Sequence, residues 1–174
     1  DSSIRVYGSK TDFECRLTFY IAYVKIAPLL YYKSLFQDLN FQKRQVLFYM
    51  KVVGIIAEYN PFHKGHEYQI RYAREILGAD YIVVAMSGDF VQRGAPALME
   101  KHLRAEMALL GGADLILEMP VQTATASAEG FAAGGVSLLD GLGVVDELCF
   151  GSECGDTETL MNIAQILIKE PFEY

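Results

Sequence analysis

Cysteine is scarce in this 174-residue chain, and Cys15, Cys149 and Cys154 form an odd set with no CxxC spacing. That pattern excludes a disulfide framework and a zinc-thiolate site, and it suits a reducing cytoplasm. Long apolar runs are missing as well. The most apolar part of the first segment, Phe19 to Tyr32, is interrupted by Lys25 and Pro28 and falls short of the ~20 residues needed to span a bilayer. No signal-peptide cleavage pattern accompanies it, so no membrane partner is expected. Basic charge is thin over most of the length. Residues 50–174 hold eight Lys/Arg against eighteen Asp/Glu, a net −10, whereas residues 1–49 hold seven against four, a net +3. An acidic domain is a poor match for a phosphate backbone, so DNA is not expected as a partner and any RNA contact must be carried largely by something else. Internal repeats and low-complexity tracts are absent.

What remains is a globular composition, 52% hydrophobic and 21% charged, at a length suited to one domain plus an appendage. The chain begins at Asp1, and Met50 stands just before the first apolar run, where the charge balance also changes sign. Residues 1–49 are therefore read as an extension of unknown role. Two origins are open: translated upstream sequence with Met50 as the natural start, or an amphipathic extension with Phe19, Tyr20, Tyr23, Ile26, Leu30 and Tyr31 on one helical face. In residues 50–174 short apolar runs at Val52 to Ala57, Tyr81 to Met86, Asp114 to Glu118 and Glu147 to Phe150 read as strands buried on both faces. Helical patterns at His66 to Leu77, Ala97 to Leu110, Ala126 to Leu139 and Glu158 to Glu170 follow them. Such alternation predicts an α/β fold, a Rossmann-like parallel sheet with flanking helices, whose ligands bind beyond the carboxyl ends of the strands.

The stretch Glu58-Tyr59-Asn60-Pro61-Phe62-His63-Lys64-Gly65-His66 lies at such an end, between the first strand and the first helix. A helix start offers unpaired N–H groups and the positive end of a dipole, and a glycine between two imidazoles lets a polyphosphate approach closely. His63 and His66 are the catalytic candidates, since imidazole donors stabilise charge building on phosphate oxygens. The plainer reading is a pair of capping histidines. Lys64 suits either phosphate contact or a solvated surface, and Asn60 either loop geometry or nucleotide contact, while Pro61 shapes the loop.

His-x-Gly-His resembles the signature of the nucleotidyltransferase superfamily, whose chemistry occurs at the α-phosphate of ATP with release of pyrophosphate. A wider set of blocks is similar to the amino-terminal domain of the bacterial tRNA(Met) cytidine acetate ligase family: VVGIIAEYNPFHKGH, SGDFVQRGAPA from Ser87, KHLRAEMAL from Lys101, GADLILEMP from Gly112, SAEGFA from Ser127 and FGSE from Phe150. The resemblance covers residues 50–174, which it implies are an ATP-binding domain truncated at its carboxyl end. It places ATP against Ile56, Ala57, Glu58, Tyr59, Asn60, Pro61, Phe62, His63, Lys64, Gly65, His66, Glu67, Tyr68 and Gln69, and against Gly151. It further implies acetate as substrate, acetyl-adenylate as intermediate, N4 of the wobble cytidine of elongator tRNA(Met) as acceptor, and Mg²⁺ accompanying the nucleotide. A small-molecule adenylyltransferase and a nucleotide-binding module without turnover are the rival readings. The chain departs from the family at Asp89, where asparagine is usual, and at Ala95, where glutamate is usual.

Other polar residues carry two readings each. Arg93, near Gln92 in a Gly/Pro-containing loop, suits a bidentate anion clamp or an ion pair. Lys101, His102 and Arg104 read as a solvated helix face, and Glu118 and Glu129 as structural carboxylates. Gly151 and Ser152 follow the fourth strand, where a glycine permits close approach of a nucleotide, and Glu153 is left unassigned. Cys149 reads as a buried thiol, and Cys154 has no nearby base. With no protein nucleophile in view, a bound carboxylate would attack phosphorus directly, and no protein metal site is expected.

Overall fold

The computed structural model describes residues 50–152 and 155–169. The extension at residues 1–49, including its Phe19 to Tyr31 face, lies outside the described residues, as do Glu153 and Cys154.

Four parallel strands form one sheet: β1 (Val52–Ala57), β2 (Tyr81–Met86), β3 (Leu115–Glu118) and β4 (Glu147–Leu148), in the order β3-β2-β1-β4. The register runs from Val52 beside Tyr81 to Ala57 beside Met86, and from Val83 beside Leu115 to Met86 beside Glu118. β4 pairs with β1 through Val53–Glu147 and Gly54–Leu148. The connecting helices are α1 (Lys64–Glu75), α2 (Lys101–Leu110), the short α3 (Val121–Ala124), α4 (Ala128–Gly141) and α5 (Thr157–Lys169). No helix among the described residues is long and apolar enough to cross a membrane.

Alternation along the strands divides the core in two. Val53 and Ile55 meet Ile70 and Ala73 of α1 and Ala105 and Ala108 of α2, while Val52, Val83 and Leu117 meet Phe131 and Leu139 of α4. Small residues set the spacing on the α4 side. A Cβ added at Gly135 would lie 2.6 Å from Ile56 Cγ2, so the helix backbone rides directly on β1.

Several bounds differ from the sequence expectation: β4 stops at Leu148 rather than Phe150 and its two residues are exposed rather than buried, since it pairs with β1 on one side only, and α1 runs Lys64–Glu75 rather than His66–Leu77 because His63 caps it. In three further cases a polar group takes over a backbone partner. α2 starts at Lys101 rather than Ala97, since Ala97 N–H donates to the Asp89 carbonyl (2.9 Å) and Leu98 N–H to Asn60 Oδ1 (2.7 Å), holding that segment out of the helix. β3 begins after Asp114, whose Oδ2 accepts from Ile82 N–H (2.8 Å) and pairs with Arg74 (2.5 Å). The predicted helix from Ala126 starts at Ala128 because Ser127 caps it, Oγ accepting from Gly130 N–H at 3.3 Å.

The chain runs outward from β1 to β2 to β3 and returns on the opposite side of β1 to form β4. The strand order thus reverses at β1, and in α/β sheets the ligand crevice lies at the carboxyl ends of the strands beside such a reversal.

Candidate functional site

The loop from β1 reaches α1 through a turn centred on Tyr59. This residue has φ 49°, in the left-handed region that a bulky side chain avoids. Its ring, 1% exposed, packs edge-on against Phe62 (5.0 Å between centroids) and His66 (4.8 Å), and this burial offsets the backbone cost. Among the described residues the buried Tyr59 hydroxyl finds no hydrogen-bond partner, and burial holds the phenol far above its ordinary range. The Asn60–Pro61 peptide is cis. Asn60 fixes the loop to the segment before α2 through Leu98 N–H, and Glu58 Oε1 does the same by accepting from Gln92 N–H at 3.0 Å.

His63 and His66 close the start of α1 reciprocally. His63 Nδ1 accepts from Gly65 N–H (3.1 Å) and His66 Nδ1 accepts from His63 N–H (3.3 Å), while the two rings stack at 3.7 Å. Gly65 makes this closure fit: a Cβ there would sit 3.0 Å from His63 Cε1. Because both Nδ1 atoms accept, each neutral ring carries its proton on Nε2. The expected unpaired N–H groups are therefore taken up within the protein, Gly65 by His63 Nδ1 and His66 and Glu67 by the His63 carbonyl (2.9 and 3.1 Å), and what the cap leaves for a ligand is a pair of Nε2–H donors. Burial, and next the neighbouring His63, lower the pKa of His66 and favour its neutral form. The two readings of these histidines are thus compatible, one nitrogen serving each.

Gln69 Nε2 donates to the Cys149 carbonyl (2.9 Å), tying α1 to the end of β4. Cys149 is a free, buried thiol, raised in pKa chiefly by that burial. Gly151 lies beyond it with nothing within 4 Å of an added Cβ. Among the described residues no packing demands a glycine there. Within the run from Ile56 to Gln69 the roles separate: Ile56 packs under α4, Ala57, Tyr59 and Phe62 join the α1-side core, and Pro61, Lys64 and Tyr68 are exposed. Lys64 is paired at the surface with Glu67 (2.7 Å), whose carboxyl that contact holds below its ordinary range.

Arg104 overturns the expectation of a solvated face. It is fully buried, and its guanidinium donates to the carbonyls of Met99 (3.0 Å), Glu58 (2.5 Å), Ser87 (3.3 Å) and Gly88. Lys101 is also largely buried, 2.9 Å from Glu118 and 3.6 Å from Asp89, so Glu118 keeps its structural role. His102 alone of the three is exposed. The available signal was the small neighbours Ala105 and Ala108, which share the buried side of α2 with Arg104. Arg93 is exposed at φ 61° in the 3₁₀ turn Gln92–Gly94, and Glu129 is exposed on α4. Among the described residues no cluster of three or more His, Cys, Asp or Glu is arranged to hold a metal. An open depression lined by Met50, Arg74, Asp80, Tyr81 and Asp114 lies at the amino ends of the strands, with its central groups already joined as the Arg74–Asp114 pair.

Comparison with known proteins identifies the family. Residues 50–174 match the family model described as HIGH Nucleotidyl Transferase. A tRNA(Met) cytidine acetate ligase of Acetivibrio thermocellus is 55% identical over 125 residues, covering 72% of this chain and 30% of the relative. The corresponding protein of Clostridium tetani is 51% identical over 125 residues, covering 72% and 31%. Among solved structures, Thermotoga maritima TmcAL bound with alpha-thio ATP is 52% identical, with a TM-score of 0.67 over 70% of this chain and 30% of that one. The chain thus spans under a third of the length of the curated relatives it matches.

Proposed function

The chain belongs to the HIGH nucleotidyl transferase family over residues 50–174, and from that premise we propose that these residues form the ATP-binding domain of a tRNA(Met) cytidine acetate ligase. The observation that carries the reading is the stacked His63–His66 pair, whose capping roles at Nδ1 leave two Nε2–H donors where the β1 loop enters α1. The relatives' names supply the reaction, and the alpha-thio ATP bound by the Thermotoga maritima protein supplies the nucleotide.

ATP would lie with its phosphates at the start of α1, at the positive end of the helix dipole and against the two imidazoles, and with its nucleoside toward Gly151. The residues fit: both Nδ1 atoms are engaged in the cap, which leaves both Nε2–H groups to donate, and Gly151 faces open space among the described residues. Activation joins an acetate oxygen to the α-phosphorus and breaks the bond to pyrophosphate, giving acetyl-adenylate. His63 and His66 donate to the oxygens that gain charge. Acetyl transfer to N4 of the wobble cytidine of elongator tRNA(Met) then releases AMP, and the amine proton leaves to solvent. Mg²⁺ would be held by phosphate oxygens and water, since the described residues offer it no protein cage. The setting is the cytoplasm, and residues 1–49 are not needed for the nucleotide.

Pyrophosphate exchange into ATP tests the proposal in the full-length protein. Exchange dependent on acetate, followed by acetylation of elongator tRNA(Met), is expected. Exchange dependent on a mononucleotide instead would establish a small-molecule adenylyltransferase, and ATP binding without any exchange would establish a binding module.

A further inference from the structure

We propose that Arg104 is a positioning residue for the nucleotide loop, clamping the carboxyl ends of β1 and β2 so that His66 keeps its place; this rests on reading that loop as the phosphate site.

The sheet itself cannot do this. Its last bond between these strands is Ser87 N–H to the Ala57 carbonyl (3.2 Å), and beyond it the two chains diverge. Arg104 takes over one residue later, with Nη1 bridging the carbonyls of Glu58 and Ser87 and Nη2 reaching Gly88. Nε anchors the fork to Met99, just before the helix that carries it. All these acceptors are main-chain carbonyls. Among the described residues no carboxylate lies within ion-pair distance of this guanidinium. Asp89 and Glu58 act on its charge from farther off, without a direct ion pair, so the hydrogen-bonding capacity of the fork goes to main-chain carbonyls. It is spent on the geometry of backbone that the ladder no longer controls.

The path to the catalytic candidate is short. Glu58, whose carbonyl is clamped, directly precedes Tyr59, which is held in the left-handed region and sets its ring 4.8 Å from that of His66. A shift of the Glu58 carbonyl therefore moves Tyr59 and, through ring contact, the imidazole. Lysine cannot replace the fork. Its ammonium is a point donor, and the acceptors lie on three separate segments.

The test uses the full-length protein, with ATP itself as the probe, and compares Arg104→Lys with Leu139→Ala, a core change on the α4 face. Calorimetric ATP affinity, melting temperature and amide hydrogen exchange across residues 59–66 are measured for each. Arg104→Lys should weaken ATP binding roughly tenfold to a hundredfold, the scale of losses from sub-ångström to ångström misplacement, and should speed exchange in that loop. Leu139→Ala should lower the melting temperature while leaving ATP affinity within about twofold of wild type, because its cavity lies across the sheet from the loop. If Arg104→Lys does not fold, Arg104→Gln, which buries no charge, is read by the same criteria. Loss of affinity no greater than that of Leu139→Ala, or unchanged loop exchange, would overturn the proposal. Failure of the wild type to bind ATP would instead sink the phosphate-site reading beneath it.

Discussion

Two isosteres at position 66 separate the capping nitrogen from the catalytic one. Asparagine places Oδ1 where imidazole has Nδ1, so His66→Asn retains the acceptor for His63 N–H, at 3.3 Å in the native protein, and removes the Nε2–H donor. Glutamine places its terminal amide near Nε2 and leaves the cap unmet. Loss of a cap costs about 0.5 to 2 kcal/mol, and the length and exposure of this bond put the cost at the lower end. Loss of a preorganised donor to the transition-state phosphates costs about 2.7 to 4 kcal/mol, or roughly 10² to 10³ in rate. His66→Asn should therefore keep most of its stability and lose roughly 10² to 10³ in acetate-dependent pyrophosphate exchange. His66→Gln should lose stability by the cap's share but retain more activity than His66→Asn, and His66→Ala should lose both. Urea denaturation and exchange assays on the same full-length preparations measure the two quantities. A His66→Asn protein that exchanged pyrophosphate at nearly the wild-type rate would refute the reasoning and reduce the histidine to a cap.

Three further outcomes follow from the same geometry. Gly135→Ala should destabilise the domain by about 1 to 3 kcal/mol, the scale of overpacking, because its Cβ would meet Ile56 Cγ2 at 2.6 Å; a gain in urea midpoint would show that α4 is free to retreat. Stability should decline as pH falls below His66's ordinary value of 6.5, since burial and the charge of His63 lower its folded pKa. The unfolded chain then takes up the proton first, and the loss continues down to the folded pKa. Urea midpoints from pH 8 to pH 5 should show a smaller slope for His66→Asn, and equal slopes would contradict the assignment. The 174-residue chain should bind elongator tRNA(Met) weakly, because residues 50–174 carry a net −10 and phosphate neutralisation requires clustered Lys/Arg; a tight, specific gel shift at low salt would show that the RNA surface lies here.

Much of the fold was legible because the strands are unmixed apolar runs. Val52–Ala57 and Tyr81–Met86 match their predicted bounds to the residue, since these two inner strands are mostly buried; the exposed edge strand β4 is shorter than its apolar run suggests. Helix starts were less legible because long-range partners decide them. Asn60 Oδ1 lies 38 residues before the Leu98 N–H it accepts from, and no local signal announces such a pair. Arg104 was misread for a related reason. A charged residue on a helix looks solvated until the loops that surround it are known, and here their carbonyls satisfy it.

The histidine pair shows why capping and catalysis are hard to separate in a sequence. A capping residue needs an acceptor near the first-turn N–H groups, and a phosphate site needs donors at that same helix end. Serine or aspartate meets only the first need. Imidazole meets both, because its two nitrogens diverge and an accepting Nδ1 in the neutral ring obliges Nε2 to donate. The cap bonds to Gly65 and His63 thus fix the tautomer that a phosphate oxygen requires. Protonation would turn each Nδ1 into a donor facing another N–H, so the neutral form that preserves the helix start is also the one that presents an oriented donor to the nucleotide.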